Sequence, residues 1–75
     1  MFNPVHAPSI RFVSCPECGE LMIEEWRSHR SLQDGNCEVS DLYHCEHCDY
    51  DMELVRIYSP EGKELRRYTQ RFFFG

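Results

Sequence analysis

The chain has 75 residues, of which 13 are acidic and 8 are basic, so its formal net charge is −5. A chain of this length forms one domain, residues 1–75, whose core supplies only about 3 to 5 kcal/mol, so such domains usually add a metal or disulfides. The negative charge disfavours broad attraction to nucleic acid, and no stretch approaches the roughly 20 apolar residues of a membrane-spanning helix.

Cysteine usage points to a reducing environment. The chain contains 5 cysteines, and an odd number disfavours a disulfide scaffold. Residues 1–8 have neither the basic region nor the apolar run of an export signal. We therefore expect a cytoplasmic protein with free thiols and no membrane association.

The N-terminal part carries little periodicity. Residues 1–9 contain two prolines and no hydrophobic repeat, which predicts an extended lead-in. Residues 10–14 alternate as a short strand that delivers Cys15 to a turn, and this strand would place Phe12 towards the core.

The middle of the chain predicts a first hairpin. Residues 20–30 fit a strand or a helix, and we favour a strand whose Trp26 lies on a core or sheet face. The Asp34-Gly35 pair is a strong hairpin signal, so residues 37–44 return as a second strand. Cys37 in that strand is expected to be a small, partly buried apolar residue rather than a metal ligand.

The C-terminal part predicts a second hairpin, with one alternative. Residues 50–58 carry apolar side chains on both faces, which is typical of a strand in the centre of a sheet. Residues 59–75 then form a hairpin strand after a turn that contains Pro60 and Gly62. The alternative is a short helix that begins with Ser59 as N-cap. Aromatic and threonine content favours the strand.

The hairpin interpretation also predicts a register. A turn over residues 59–63 would place Ile57 opposite Leu65. The same register would place Arg56 opposite Arg66, which is an unfavourable pair of like charges.

Two Cys-x-x-Cys pairs, separated by 26 residues, occur in Cys15-Pro16-Glu17-Cys18-Gly19 and Cys45-Glu46-His47-Cys48-Asp49. Thiolates spaced in this way on a tight turn supply two corners of a tetrahedron, so two such turns give Zn²⁺ four soft ligands. Gly19 can adopt the positive φ needed after the second cysteine, and Asp49 is among the few other residues that tolerate it. The predicted ligands are Cys15, Cys18, Cys45 and Cys48.

Two histidines near the second pair, and a second metal, offer alternatives to this site. His44 or His47 can replace a cysteine on zinc, but four cysteines in matched pairs explain the pattern with fewer assumptions. Iron is the alternative metal, because the second pair looks somewhat like a rubredoxin knuckle. Four protein ligands leave no open position for substrate, so we expect a structural metal and no enzyme.

The CPxCG pattern followed by CxxC, over about residues 10–58, resembles the zinc ribbon family, in its small prokaryotic or phage form. The resemblance implies a small metal-stabilised β-rich domain with an antiparallel sheet. It also implies a place in transcription, translation or replication machinery.

Two function classes follow. In the first, the domain is a protein-protein adaptor or regulator of a larger, transcription-type machinery, or a homo-oligomer, with a docking segment at Phe72, Phe73 and Phe74. In the alternative, the ribbon binds nucleic acid, with Trp26 and Tyr68 stacking on bases. The basic residues for that role are Arg27, Arg30, Lys63, Arg66, Arg67 and Arg71. The negative charge favours the first class.

Overall fold

The computed structural model describes residues 2–72, which form one antiparallel sheet of four strands. The strands are β1 (Ile23–Ser31), β2 (Cys37–Cys45), β3 (Tyr50–Tyr58) and β4 (Glu64–Arg71), and their order in the sheet is the order in the chain. A short 3₁₀ helix, Pro4–His6, precedes the sheet. Within residues 2–72, no helix has the length and apolar character to cross a membrane.

The predicted fold class is confirmed, and the C-terminal ambiguity is resolved as a strand. β3 lies between β2 and β4, so its place in the centre of the sheet is also confirmed. The turn before β4 is closed by the Gly62 N–H, which donates to the Ser59 carbonyl at 2.9 Å. Gly62 has a φ of 92°, which a glycine adopts without steric cost.

The predicted register of this second hairpin was wrong by one residue. Ile57 pairs with Arg66 and Tyr58 pairs with Glu64, so Leu65 is an extra residue in a β-bulge. The bulge moves Arg67, rather than Arg66, opposite Arg56.

The prediction for residues 10–14 was also wrong. In place of a strand, the structure has an isolated bridge between Ser14 and Leu21. Ile10 and Val13 pack against the core, and the Tyr43 hydroxyl donates to the Ile10 carbonyl at 2.9 Å. These contacts leave Phe12 81% exposed, whereas we expected it to face the core.

Residues 2–22 lie across one face of the sheet, which we call the closed face. Within the expected extended lead-in, Asn3 caps the 3₁₀ helix by accepting a hydrogen bond from the Val5 N–H. Ala7 is buried beside Val39, and the Phe2 ring stacks on Tyr58 with the ring centroids 4.8 Å apart.

The core of the closed face consists of two apolar clusters. One contains Ala7, Val39 and Tyr58. The other lies nearer the cysteines and contains Cys15, Met22, Tyr43, Cys45, Met52 and Leu54.

A buried ion pair lies between the two clusters. Asp41 is 0% exposed and Arg56 is 1% exposed, and the Arg56 Nη2 donates to Asp41 Oδ2 at 2.7 Å. Arg27 donates to the same carboxylate through Nε, at 2.5 Å, and to the Ala7 carbonyl through Nη1, at 2.6 Å. The carboxylate thus holds two guanidinium groups, one of which ties the N-terminal segment to the sheet.

Candidate metal centre

The two cysteine pairs adopt the same turn. In the first, the Gly19 N–H donates to the Cys15 carbonyl at 2.8 Å, and in the second the Asp49 N–H donates to the Cys45 carbonyl at 2.9 Å. Gly19 has a φ of 80° and Asp49 has a φ of 59°. Both residues therefore occupy the left-handed region, as the sequence predicted.

Different elements deliver the two turns to one place. The second turn joins β2 to β3, since Cys45 is the last residue of β2 and Tyr50 the first of β3. The first turn is the tip of a short two-stranded arm. The arm is closed by the Cys15 N–H, which donates to the Glu20 carbonyl, and by the Met22 N–H, which donates to the Val13 carbonyl, both at 2.8 Å.

The four sulfur atoms form one compact group. The Sγ distances are 3.4 Å for Cys15 to Cys48, 3.5 Å for Cys18 to Cys45 and 3.6 Å for Cys48 to Cys45. All four Sγ atoms lie within 4.8 Å of one another, and all four cysteines are free of disulfides. Zinc–sulfur bonds of about 2.3 Å give a tetrahedron with edges of about 3.8 Å. The cluster is therefore a site that can hold a metal ion.

The electrostatics of the thiols also suit a cation. Burial opposes ionisation of Cys15, but hydrogen bonds from the backbone at Glu17 and Cys18, together with those from the thiols of Cys48 and Cys18, outweigh it and lower the pKa of Cys15 to about 7. The pKa of Cys48 is raised, first by its hydrogen bond with Cys15 and then by desolvation. Crowded sulfurs resist ionising together, whereas a bound divalent cation would stabilise all four thiolates.

The cluster lies at the edge of the core. Cys15 and Cys45 are buried, whereas Cys18 and Cys48 are exposed. The two buried sulfurs belong to the apolar cluster with Met22, Tyr43, Met52 and Leu54. An ion bound here would join the arm of the first turn to the end of the sheet and cover that end of the core.

The other candidate ligands lie outside the sulfur cluster. His44 Nδ1 is 2.8 Å from Asp51 Oδ1, and this hydrogen bond raises the pKa of His44. His47 is exposed in the second turn. Cys37 begins β2, at the opposite end of that strand from Cys45, and is half-buried.

The structure does not gather the predicted nucleic-acid-binding residues into one patch. The face opposite the closed face, which we call the open face, contains Arg30 and Arg66, since these residues pair with Glu38 and Ile57. The closed face contains Arg27, Arg67 and Arg71, and Lys63 lies in the turn before β4.

Most of these cations already have intramolecular contacts. Arg30 forms an ion pair with Glu38, and Arg67 forms one with Glu64 at 2.8 Å. The Arg66 guanidinium lies over the ring of Tyr68 at 5.1 Å. The guanidinium of Arg71 lies over a ring in the same way, that of Tyr50 at 4.8 Å.

The predicted docking segment is described only in part. Phe72 is half-buried, and its N–H donates to the Asp51 carbonyl at 3.0 Å, which continues the pairing of β4 with β3. Phe73 and Phe74 lie outside the described residues.

The sequence interpretation missed a cleft on the open face. It has a volume of about 470 Å³ and lies next to the second cysteine turn. Its lining combines two apolar side chains with a histidine and three carboxylates, namely Trp26, Leu42, His44, Glu25, Asp49 and Asp51. Alternation within β1 and β2 placed Trp26 and Leu42, but their meeting depends on the register between the strands.

Comparisons of the chain with protein-family models, with curated proteins and with solved structures gave no match. The chain is a small antiparallel β domain with a four-cysteine cluster that can hold a metal ion.

Proposed function

We propose that the protein is a zinc ribbon whose four thiolates hold one structural Zn²⁺, and that it acts without catalysis, as an adaptor or regulator that binds another protein. The compact group of four Sγ atoms supports the metal. Four ligands fill a tetrahedral coordination sphere, which suits a structural ion. Iron remains the alternative metal, and its visible absorption distinguishes it from colourless zinc.

In this proposal, the partner protein binds to the open face of the sheet. Antiparallel sheets with one covered face usually present polar side chains on the other. Here Trp26 is 48% exposed and Tyr68 is 37% exposed, and both lie on the open face. The two side chains lie on the two edge strands of this face, and aromatic residues are enriched at protein-protein contact sites.

Charge supports a protein partner over nucleic acid. The basic residues lie on both faces of the sheet, and several are held by carboxylates of the same chain. A duplex or single strand would meet a dispersed set of cations on a protein with net charge −5. We expect the protein to act in a reducing compartment, the cytoplasm, where thiols persist. We also expect its partner to belong to a transcription-type machinery.

The test is affinity capture from the native host with the zinc-loaded chain as bait. We expect a defined protein to be retained by the wild type and lost with the double variant Trp26→Ser and Tyr68→Ser. The matched control is Phe12→Ser, which removes an exposed aromatic residue away from the open face. Retention by the double variant, after zinc content and circular dichroism show that it is folded, contradicts the proposal.

Nucleic acid is tested on the same preparation. Fluorescence anisotropy of labelled single- and double-stranded oligonucleotides at two salt concentrations should show no binding. Binding that falls steeply with salt and is lost in the double variant Arg66→Ala and Arg71→Ala would favour the nucleic-acid class instead.

A further inference from the structure

The open face has two apolar centres that the rest of the described chain leaves uncovered. Residues 2–22 pack on the closed face, and no other segment of residues 2–72 crosses the open face. Trp26, on one edge strand, is paired with Leu42, and Tyr68, on the other edge strand, is paired with Val55. The Glu53 carboxylate lies between the two centres, opposite Leu42, where the Ser40 hydroxyl and the Gln70 amide donate to it. Leu42 and Val55 are buried beneath their neighbours, so Trp26 and Tyr68 are the accessible parts of the two centres.

The two ends of the open face carry opposite charge. The end next to the cysteines has three carboxylates, those of Glu25, Asp49 and Asp51, around its cleft. The other end has the guanidinium groups of Arg30 and Arg66. Arg30 is paired with Glu38, whereas Arg66 makes no ion pair among residues 2–72. Charge therefore changes from negative to positive along the strand direction.

A surface with this pattern is complementary to itself. When two copies meet face to face about a two-fold axis that runs across the strands, the positive end of each copy lies over the negative end of the other. A two-fold axis parallel to the strands would instead place Arg30 over Arg66, and like charges oppose that arrangement. Contact through one shared patch on both copies is the usual geometry of two-fold dimers.

The size of the face is sufficient for a weak interface. Four strands about 4.8 Å apart and about nine residues long, at about 3.3 Å per residue, give a face of about 570 Å². Specific, stable interfaces bury about 600 to 1,000 Å² on each partner. The sheet face thus lies just below this range, which is typical of weak, reversible association.

We propose that the open face binds a second copy of this chain, forming a two-fold dimer in which Arg66 of one copy faces the Asp51 end of the other. The inference rests on the proposed function, since it names the first protein that this surface binds. The apolar centres around Trp26 and Tyr68 meet at the axis, and the two oppositely charged ends set the orientation.

The test is analytical ultracentrifugation of the zinc-loaded chain from micromolar to near-millimolar concentration. The wild type should reach twice the monomer mass reversibly, and added salt should weaken the dimer by screening the charged ends. Arg66→Glu and Asp51→Lys should each weaken the dimer by about tenfold or more. Arg11→Glu makes the same charge change at an exposed residue off the open face and should leave the dimer unchanged.

Mixing the two variants gives the sharpest result. An equimolar mixture of the Arg66→Glu chain and the Asp51→Lys chain should recover the dimer, because every facing pair then has opposite charges. A mixture that stays monomeric contradicts the inference, as does a wild type that is monomeric throughout. Dimers that persist in both single variants place the interface elsewhere and also overturn it.

A substitute variant and two combined outcomes complete the test. If Asp51→Lys loses zinc, Trp26→Ser replaces it, and a Trp26→Ser chain that dimerises as well as the wild type contradicts the inference. A monomeric wild type that still captures a host protein through Trp26 and Tyr68 leaves the proposed function intact. A dimer with no captured protein supports self-association and removes the adaptor role.

Discussion

Gly19 and Asp49 occupy equivalent positions in the two cysteine turns, and each has a positive φ. Residue type alone predicted this, because few side chains tolerate the left-handed region. Cysteine spacing predicted the four sulfurs that the structure brings into one cluster. The sequence did not predict the buried pair of Asp41 and Arg56, although alternation placed Asp41 on the same strand face as Val39, and Arg56 on the same face as Leu54.

The two turns give a matched pair of variants. A Cβ at Gly19 has no atom within 4 Å, so Gly19→Ala isolates the backbone cost, and we expect a loss of about 1 kcal/mol. Asp49→Gly relieves that cost and should stabilise the chain by about 0.5 kcal/mol. Urea unfolding at saturating zinc measures both changes. Equal effects of the same sign would contradict the assignment of strain to these two φ angles.

Removing the charge of Asp41 should be among the most damaging single changes. Asp41→Asn leaves Arg56 buried beside a neutral group, and breaking a buried pair costs about 3 to 5 kcal/mol. The triple variant Arg27→Met, Asp41→Leu and Arg56→Met removes all three charges of this group and should be closer to the wild type in urea unfolding. A triple variant as unstable as the single one would show that the charges are not the cause.

Glu24 gives a pH-dependent prediction. About a third of the Glu24 side chain is exposed. Partial desolvation, and after it the neighbouring Asp41 carboxylate, raises the pKa of Glu24. The folded chain therefore binds this proton more tightly than the unfolded chain, so stability falls as the pH rises above about 4.3, the unfolded value. Glu24→Gln should be more stable than the wild type at pH 7, and its advantage should shrink as the pH is lowered.

Urea unfolding at several pH values checks the Glu24 prediction, with zinc content matched between the chains. Glu20→Gln, at an exposed residue of the arm, is the control and should follow the wild type. An advantage of Glu24→Gln that grows on acidification would contradict the assigned direction.

The strands of the sheet depend mainly on residues close in the sequence, so alternation and turn residues predicted them. The Asp34-Gly35 turn and the Pro60-to-Gly62 turn each gave a hairpin. The register of β4 was missed because the bulge at Leu65 has no signature in the alternation. The packing of residues 2–8 was missed because it depends on distant contacts, such as that of Arg27 with the Ala7 carbonyl.

The contact between Phe2 and the turn before β4 can be measured by a double-mutant cycle. A Cβ at Gly62 would lie 2.8 Å from the Phe2 ring, so Gly62→Ala adds a clash to the strain of its positive φ. We expect Gly62→Ala to cost less in a Phe2→Ala background than in the wild type, by about 0.5 kcal/mol or more. Additive costs would show that the N-terminal segment does not rest on this turn.

At the scale of the whole molecule, a small core is divided by a buried ion pair, and two of the four metal-site cysteines belong to one half of that core. A domain of this size gains little from its core alone. Structural zinc contributes about 10 to 16 kcal/mol of apparent binding energy in small finger peptides, and that energy becomes folding energy. We therefore expect the sheet to form only when the metal is bound.

The most direct test is chelation of the purified chain, followed by circular dichroism, urea unfolding and metal analysis. We expect one zinc ion per chain, loss of the cooperative transition when zinc is removed, and recovery when it is restored. Cys48→Ser should lose zinc and the fold, whereas Cys37→Ser, at the far end of β2, should keep both. A metal-free chain that unfolds cooperatively with its four thiols reduced would contradict the account.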